Sequence, residues 1–408
     1  MKRVVVTGMA GISPIGSRWE QVKANLLAGK TGVRYMPEWD KFAELNTRLA
    51  APVVDFEKPA HFSRKLTRSM GRVALMATAV TERALEDAGL LGDESIQDGR
   101  MGVSYGSSAS SPDAIADFGY MLLQNDASGI NANSYLKMMS HTAAVNIGVF
   151  FQLKGRVIPT SSACTSGSQG IGYAYEAIKY GKQKLMVAGG AEELCPTEAA
   201  VFDTLFATST RNEAPQTSPR PFDRDRDGLV IGEGAGTLIL EELEHALARG
   251  ARIHAELIGF GTNSDGIHVT QPQAETMRIA MQMALEDAGV APSAIGYISA
   301  HGTATELGDI AESQATFELF GGATPISALK SFTGHTLGAC GALEAWTAIR
   351  MMQDNWFHGT ANLDNPAPEC AALDYLTGAG RELRCDLIMS NNFAFGGINT
   401  ALIFKRWQ

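Results

Sequence analysis

The 408-residue chain has little of what cross-links a protein or anchors it in a membrane. Its five cysteines, at positions 164, 195, 340, 370 and 385, are odd in number and form no Cys-x-x-Cys pair, which excludes a disulfide framework and a zinc site of the usual spacing. No apolar run approaches about 18 residues, so we expect no membrane span. The apolar run after the basic N-terminus is too short for a signal peptide. We therefore predict a soluble, reduced, cytoplasmic protein without a metal.

Basic residues are also scarce. The chain has 34 Lys and Arg against 44 Asp and Glu, which gives a net charge of −10 and a pI near 5.4. A chain of this charge repels phosphate backbones, so we expect no nucleic-acid partner. Any acidic partner must instead meet a local basic patch.

Short β-branched runs alternate with helical patterns along the whole chain. This alternation is typical of α/β folds with crossover connections and mainly parallel sheets. The predicted strands cover residues 4–7, 102–105, 185–188, 237–240, 297–299 and 386–390, and the predicted helices cover 70–88, 170–180, 274–288 and 341–353.

Three correspondences in the same order suggest an internal duplication. The sequence ALEDAG occurs at 84–89 and again at 284–289, and KLMVAGG at 184–190 resembles DLIMSNN at 386–392. Between them, Cys164 is followed by two glycines at the same spacing as His335. The alternative is coincidence between alanine-rich helices. We predict two similar halves, covering residues 1–250 and 251–408.

Cys164 lies in the segment VIPTSSACTSGSQGIG, where an apolar strand gives way to small residues and then to a helix. The positive end of a helix dipole lowers the pKa of a nearby thiol, and small neighbours leave room for a substrate. This pattern favours a nucleophile. The alternative is an inert core cysteine, which is the common fate of a free thiol.

Two histidines lie at comparable junctions. His301 follows a strand in YISAHGTATELGD, and His335 follows Lys330 in LKSFTGHTLGACG. If the halves are related by pseudo-symmetry, His335 occupies the position that Cys164 holds in the first half. The three side chains would then meet in one crevice, although a single histidine is more often structural. Histidine can act there as an acid, a base or an oxyanion donor.

The final motif, SNNFAFGGIN, reads as a strand, a glycine-rich loop and a second strand. Gly396 and Gly397 would allow backbone N–H groups to turn inward as an oxyanion hole, and Phe393 and Phe395 could line an apolar tunnel. A tight hairpin with core aromatics is the alternative.

The opening segment TGMAGISPIG is similar to a dinucleotide loop, but the GxGxxG spacing is absent, which disfavours a dehydrogenase.

Taken together, the motifs SSACTSG, SPRPFDRDRDGLVIGEGAG, SAHGTATELGD, LKSFTGHTLGACGALEA and SNNFAFGGIN resemble those of the β-ketoacyl-acyl carrier protein synthases of the KAS I/II type, over nearly the whole chain. The resemblance implies a thiolase-like fold, with two pseudo-symmetric halves in αβαβα layers. It implies decarboxylative condensation of an acyl-enzyme with malonyl-acyl carrier protein. It also implies a homodimer, or a heterodimer with a chain-length partner, and no cofactor beyond the carrier's phosphopantetheine.

The resemblance also assigns roles to individual residues. It makes Cys164 the acyl-accepting nucleophile, His301 and His335 the decarboxylation pair, and Lys330 with its partner Glu344 the charges that orient the site. The remaining implied roles are phosphopantetheine binding by Thr303 and Thr305, an oxyanion hole from the backbone amides of Cys164 and Phe395, an acyl pocket and gate from Ala109, Phe202, Phe393 and Phe395, and carrier docking by Lys65 and Arg68.

Departures from the family pattern favour a specialised substrate. Ala109 stands where a bulky residue usually crosses the acyl tunnel, and Phe206 replaces a docking arginine. Ala394, Ile398 and Glu306 also differ from the usual residues. The overall pattern is nearer to accessory synthases of aryl-polyene-type pathways. A degradative thiolase is disfavoured because the C-terminal motif lacks cysteine, and a non-catalytic chain-length partner because Cys164 and both histidines are present.

Overall fold

The computed structural model describes all residues, 1–408. Its strands are β1 (Val4–Ile12), β2 (Arg34–Tyr35), β3 (Leu49–Ala51), β4 (Met101–Gly106), β5 (Val157–Thr160), β6 (Leu185–Glu192), β7 (Ile231–Gly232), β8 (Gly234–Glu242), β9 (Ala255–Ser264), β10 (Tyr297–Ser299), β11 (Pro325–Ser327), β12 (Trp356–Phe357), β13 (Asp374–Tyr375), β14 (Arg381–Glu382), β15 (Leu387–Ala394) and β16 (Ile398–Arg406). Every strand and helix predicted from the sequence overlaps an observed one.

The α-helices vary from single turns to sixteen residues. They are α1 (Trp19–Leu27), α2 (Arg64–Thr67), α3 (Arg72–Asp87), α4 (Pro112–Gln124), α5 (Ala132–Met138), α6 (Thr142–Phe150), α7 (Ser166–Lys179), α8 (Pro196–Asp203), α9 (Leu243–Ala248), α10 (Ala274–Ala288), α11 (Glu306–Phe320), α12 (Lys330–Thr333) and α13 (Cys340–Asp354). None of them is long and apolar enough to cross a membrane.

Eleven strands form one continuous sheet, in the order β13-β11-β10-β15-β16-β9-β1-β8-β6-β4-β5. Five of the ten neighbouring pairs are parallel and five are antiparallel. The prediction of mainly parallel sheets is therefore wrong. Of the antiparallel pairs, only β15 with β16 is a hairpin, and the other four join strands that are separated in the chain by other elements.

The sheet contains the same five-stranded pattern twice. In the first half, β5, β4 and β6 are parallel, and β8 and β1 continue the sheet antiparallel. In the second half, β11, β10 and β15 are parallel, and β16 and β9 continue it antiparallel. The two ALEDA helices are equivalent, and both end at a glycine with φ of +66°. This topology confirms the two similar halves.

Helices complete a five-layer αβαβα arrangement. The helices α7 and α13 are buried on nearly every side, because they lie between the two half-sheets and contact both. The outer helices α3 and α10 bury only one face, as their amphipathic sequences require. The boundary predicted near residue 250 stays a prediction, and it falls between α9 and β9.

The opening motif forms no dinucleotide loop. Strand β1 runs without a break through Gly8 and Gly11 to Ile12. A side chain at Gly8 would meet the Ala84 carbonyl at 2.2 Å, and one at Gly11 would meet the Trp346 ring at 2.3 Å. These glycines therefore allow helices to pack closely on the strand, which supports the rejection of a dehydrogenase.

Candidate active site

Cys164 lies at the end of β5, in a single 3-10 turn that leads into α7. The turn requires a positive φ of +50° at Ala163, which is uncommon for a residue with a side chain and marks a constrained backbone. The constraint places the thiol directly before the helix, where the side chain is 4 % exposed. This is the strand-to-helix junction that the sequence predicts.

His335 occupies the equivalent junction of the second half, between α12 and the turn before α13. Its backbone bonds to the short strand β7, through the Val230 carbonyl at 2.6 Å and the Gly232 N–H at 2.9 Å. The Leu337 N–H donates to Nδ1 at 3.2 Å, so the ring proton lies on Nε2. That nitrogen lies 3.0 Å from the Cys164 sulfur. His335 therefore directs an N–H donor at the thiol.

His301 follows β10 and lies beside His335, with the two ring centroids 5.2 Å apart and the planes nearly perpendicular. Lys330 Nζ donates to its Nδ1 at 3.1 Å. An ammonium group can only donate, so the proton of this neutral imidazole is also on Nε2. The Cys164 sulfur and one imidazole nitrogen from each of His301 and His335 all lie within 4.8 Å of one another. The structure thus brings together the three residues that the sequence singles out.

Behind the histidines lies a buried ion pair. Lys330 Nζ donates to the Glu344 carboxylate at 2.5 Å and to the His301 carbonyl at 2.7 Å. The second carboxylate oxygen of Glu344 accepts from the Asn392 amide at 2.7 Å. Although burial lowers the pKa of Lys330, the neighbouring Cys340 and Glu344 raise it above its usual value. A fixed positive charge therefore lies next to both imidazoles.

This charge keeps the histidines neutral. Burial lowers the pKa of His335 well below 6.5, and Lys330 lowers it further. The same two effects, together with the neighbouring His335, lower the pKa of His301. At neutral pH each ring therefore carries one proton, on Nε2, which in His335 is the nitrogen that faces the thiol. The arrangement provides two buried N–H donors, which can stabilise an oxyanion.

The prediction that the helix lowers the pKa of Cys164 is wrong for this buried position. Burial raises the pKa of the thiol to about 11, although Lys330 and the backbone N–H groups of Phe395 and Cys164 lower it. The thiol therefore keeps its proton at neutral pH. It can react by exchange with another thiol, in which the proton passes to the leaving sulfur.

The glycine-rich loop between β15 and β16 does not supply the inward N–H groups that the sequence predicts at Gly396 and Gly397. Gly396 and Gly397 do have positive φ, but their N–H groups bond to the carbonyls of Val269 and Ala394. The N–H that faces the sulfur belongs to Phe395. Its ring lies 4.9 Å from that of Phe202, centroid to centroid. Phe395 therefore combines a backbone donor with an apolar wall.

Two buried carboxylates on α11 hold the loop that carries His301. Glu312 accepts from the N–H groups of His301 and Gly302, both at 2.7 Å, and Asp309 accepts from that of Thr303 at 3.0 Å. The hydroxyl oxygens of Thr303 and Thr305 lie 2.8 Å apart. This network fixes the histidine and two hydroxyl groups on one short segment.

A cavity of about 550 Å³ opens onto these groups. Its lining includes the predicted residues Cys164, Phe202, His301, Thr303, Thr305, His335, Phe393 and Phe395. Lys330 and Glu344 lie behind it, without lining it. The cavity can therefore admit a narrow chain past two hydroxyl groups to a thiol with donors on either side.

Comparison with known proteins places this geometry in a family. The model of the β-ketoacyl synthase N-terminal domain matches residues 1–246, and that of the C-terminal domain matches residues 254–364. The chain belongs to the β-ketoacyl synthase family. It is 39 % identical to 3-oxoacyl-[acyl-carrier-protein] synthase 2 of Vibrio cholerae, with 99 % of each chain covered.

Solved structures agree with this assignment. The crystal structure of a β-ketoacyl synthase from Burkholderia phymatum superposes with a TM-score of 0.99 at 61 % identity, with all of both chains covered. The ishigamide ketosynthase/chain length factor gives 0.90 at 32 % identity, again over the full length of both chains. These similarities confirm the predicted thiolase-like fold.

Other predicted site residues of this synthase lie apart from the cavity. Ala109 does not line it, and its N–H bonds to the buried Glu192 at 3.0 Å. Lys65 and Arg68 are exposed at α2. They belong to a segment rich in basic residues, 63–72, which is not one continuous helix, because α2 ends at Thr67 and α3 begins at Arg72. The Arg72 side chain is bound to Glu233 at 2.8 Å. The exposed pair Lys65 and Arg68 remains free of ion pairs.

Several residues that shape the synthase site escape sequence reasoning. Asn392, Asp309 and Glu312 all lie inside or just after the quoted motifs, but their sequence context shows no partner. Glu192 accepts from Ser107 and from three backbone N–H groups, which include that of Gly338 beside the active site. The fold buries these four side chains next to the groups that they bind. Only that burial shows that they position the site.

Proposed function

We propose that the chain catalyses decarboxylative condensation of an acyl group with malonyl-acyl carrier protein, giving 3-oxoacyl-acyl carrier protein and carbon dioxide. The observation that carries this proposal is the pair of neutral histidines, each with an Nε2–H directed into the cavity beside Cys164. Two such donors suit an enolate oxygen, which is the unstable species of this reaction.

In the first step Cys164 takes the acyl group from a carrier thioester. The sulfur attacks the thioester carbonyl, the bond to the pantetheine sulfur breaks, and the thiol proton passes to that sulfur. His335 Nε2–H supports the negative charge that develops on the Cys164 sulfur. The backbone N–H groups of Cys164 and Phe395 would receive the carbonyl oxygen.

In the second step malonyl thioester loses carbon dioxide. The electron pair of the broken carbon–carbon bond becomes an enolate, whose oxygen accepts from the Nε2–H groups of His301 and His335. Lys330 lies behind His301 and keeps its Nδ1 an acceptor, so the proton stays on the reactive face. The site is buried, so no bulk water competes for these donors.

In the third step the enolate carbon attacks the acyl-Cys164 carbonyl. The tetrahedral oxyanion rests on the two backbone donors, and the carbon–sulfur bond breaks to release the 3-oxoacyl product. The thiolate then takes up one proton from the solvent, which the overall reaction consumes. Electrons balance without a redox partner, and no separate cofactor enters these steps.

The carrier's pantetheine arm reaches the thiol along the cavity, past Thr303 and Thr305. We assign carrier docking to the exposed cations Lys65 and Arg68, since a carrier of acidic surface would be repelled by the rest of this acidic chain. The exposed ring of Phe206, 90 % accessible at the cavity mouth, adds an apolar contact where the family pattern has an arginine.

We further propose a specialised acyl substrate of the aryl-polyene type. The support is the departure of this sequence from the family pattern at Ala109, where the family usually has a bulky residue, although Ala109 does not line the cavity of the single chain. Ala394 and Ile398 flank the Phe395 gate and add bulk there. Comparison of turnover with saturated and with aryl-polyenoyl carrier thioesters tests this assignment, and equal turnover would contradict it.

We also propose a homodimer. Strand β5 ends the sheet with unpaired backbone groups, and Val157 on it is exposed. Near it in the chain, α4 exposes Tyr120, Leu122 and Leu123, a concentration of apolar surface that a monomer would not leave in water. Because a ketosynthase/chain length factor is among the similar structures, a heterodimer is the competing arrangement. Light scattering on the purified chain distinguishes the two.

The deciding experiment uses Cys164→Ala. We expect loss of condensation and of acyl-enzyme mass, while malonyl decarboxylation persists because both histidines remain. Cys340→Ala is the matched control, since this thiol is also buried but bonds to the Cys164 carbonyl rather than facing the cavity. Condensation by Cys164→Ala would overturn the proposal.

A further inference from the structure

Glu192, at the end of β6, is a fully buried carboxylate that does not line the active-site cavity. Its Oε1 accepts from the Ser107 hydroxyl at 2.8 Å and from the Ala109 N–H at 3.0 Å. Its Oε2 accepts from the Ser108 N–H at 2.7 Å and from the Gly338 N–H at 2.9 Å. One side chain therefore joins the loop after β4 to the turn before α13.

The turn before α13 has a constrained backbone. Leu337 adopts a positive φ of +44° although its side chain is buried. A residue with a side chain keeps such a left-handed conformation only where its surroundings enforce it. Here the Leu337 N–H donates to His335 Nδ1 at 3.2 Å, and the next N–H along the chain, that of Gly338, donates to Glu192. Two successive hydrogen bonds therefore hold the turn.

Packing against backbone fixes the other side of the turn. A side chain at Gly190 would meet the Gly338 carbonyl oxygen at 2.1 Å, and one at Gly167 would meet it at 2.8 Å. A side chain on Gly338 itself would meet the Glu192 carboxylate at 2.8 Å. The turn therefore lies between the backbones of β6 and α7 and the carboxylate. Without that acceptor the Gly338 N–H would be buried and unpaired, which favours rearrangement of the turn.

We propose that Glu192 is a positioning residue for His335. By accepting from the Gly338 N–H, it fixes the turn in which the Leu337 N–H is directed at Nδ1. That bond keeps the ring proton on Nε2, which lies 3.0 Å from the Cys164 sulfur. If the turn relaxes, Nδ1 can carry the proton, and Nε2 then has no hydrogen to donate. The effect on the rate rests on the proposed condensation, whereas the effect on the tautomer does not.

Glu192→Gln tests the proposal in the full chain. The amide keeps the size of the side chain but replaces one acceptor oxygen with an NH₂ group, so it cannot accept from all four donors. We expect ¹⁵N spectra at pH 8 to show the Nδ1–H tautomer of His335. His301 should keep its Nε2–H tautomer, because Lys330 rather than the turn donates to its Nδ1.

The same variant should also change the kinetics in a defined way. We expect kcat for condensation to fall about 10–100-fold, because a displaced donor no longer meets the reacting atoms. KM for the carrier thioester should change little, since Glu192 does not line the cavity through which the substrate enters.

A second variant and a matched control isolate the bond to the turn. Gly338→Ala adds a methyl group that displaces the Glu192 carboxylate from the turn, and it should give the same His335 spectrum. Glu193→Gln is the matched control, because this neighbouring carboxylate is also buried but accepts from the Val73 N–H and the Ser111 hydroxyl. It should leave the spectra of both histidines unchanged.

An unchanged His335 spectrum in both Glu192→Gln and Gly338→Ala would overturn the proposal. Equal changes at His301 and His335 would also do so, because they indicate a general loss of packing. The same His335 change in Glu193→Gln would remove the specific role of Glu192. Absence of condensation by the unmodified chain would instead contradict the proposed function, and the spectra would still decide the role of Glu192.

Discussion

Removal of one imidazole donor gives the sharpest test of how this site works. His301→Ala removes the Nε2–H that we assign to the enolate oxygen. It leaves the backbone of the loop in place, because the His301 N–H still donates to Glu312 and its carbonyl still accepts from Lys330. The Cys164–His335 contact at 3.0 Å is also unchanged. The variant therefore removes one donor and leaves the contacts of the candidate nucleophile unchanged.

The magnitude follows from burial. His301 and His335 are 6 % and 2 % exposed, so water cannot readily replace a missing donor. Loss of one oxyanion donor in such a site costs about 10²–10³ in rate, or about 2.7–4 kcal/mol. The double variant His301→Ala with His335→Ala should raise the activation free energy by less than the sum of the two single effects, since the two donors act on one oxygen.

Two assays separate the steps. Malonyl decarboxylation is followed by release of labelled carbon dioxide, and acyl transfer by the intact mass of the enzyme. We expect His301→Ala to lose decarboxylation and keep acylation of Cys164. His301→Gln is the matched control, because its amide keeps an N–H donor, and it should recover part of the rate.

The opposite pattern would refute this account. Normal decarboxylation with lost acylation would make His301 part of the nucleophile's machinery rather than an enolate donor. Equal rates for the Ala and Gln variants would show that the N–H itself does not matter.

Three further predictions follow from the geometry. First, ¹⁵N spectra should show both histidines as neutral Nε2–H tautomers between pH 8 and 6.5, and a titration midpoint near 6.5 in the folded protein would contradict us. Because the pKa values of both histidines are lowered in the folded state, only the unfolded chain takes up these protons near pH 6.5. The free energy of unfolding should therefore fall as the pH drops below that point. Second, Glu344→Gln leaves the Lys330 charge unpaired and should destabilise the fold by about 3–5 kcal/mol in urea unfolding, while the exposed pair variant Glu275→Gln should change little. Third, Lys65→Glu with Arg68→Glu should raise KM for the carrier thioester about two- to tenfold at low salt and leave kcat on small thioesters unchanged; an unchanged carrier KM would show that this patch is only surface.

Local sequence was sufficient to predict the elements and to single out Cys164 as the candidate nucleophile. Strand and helix positions follow from periodicity, and every predicted element overlaps an observed one. The order of the three repeated motifs indicated two similar halves, and that symmetry placed Cys164 and His335 at matching junctions. Each strand, helix and motif is readable because it depends on neighbours within one segment of chain. The duplication is readable because similar segments follow one another in the same order.

Charge states and strand directions depended on the tertiary structure. The thiol pKa could not be read from the helix start, since burial among distant residues outweighs the local dipole. The basic segment at 63–72 looked uniform, but Arg72 is bound to Glu233, 161 residues away. Burial and long-range pairing set these electrostatic properties, and neither is encoded in adjacent residues.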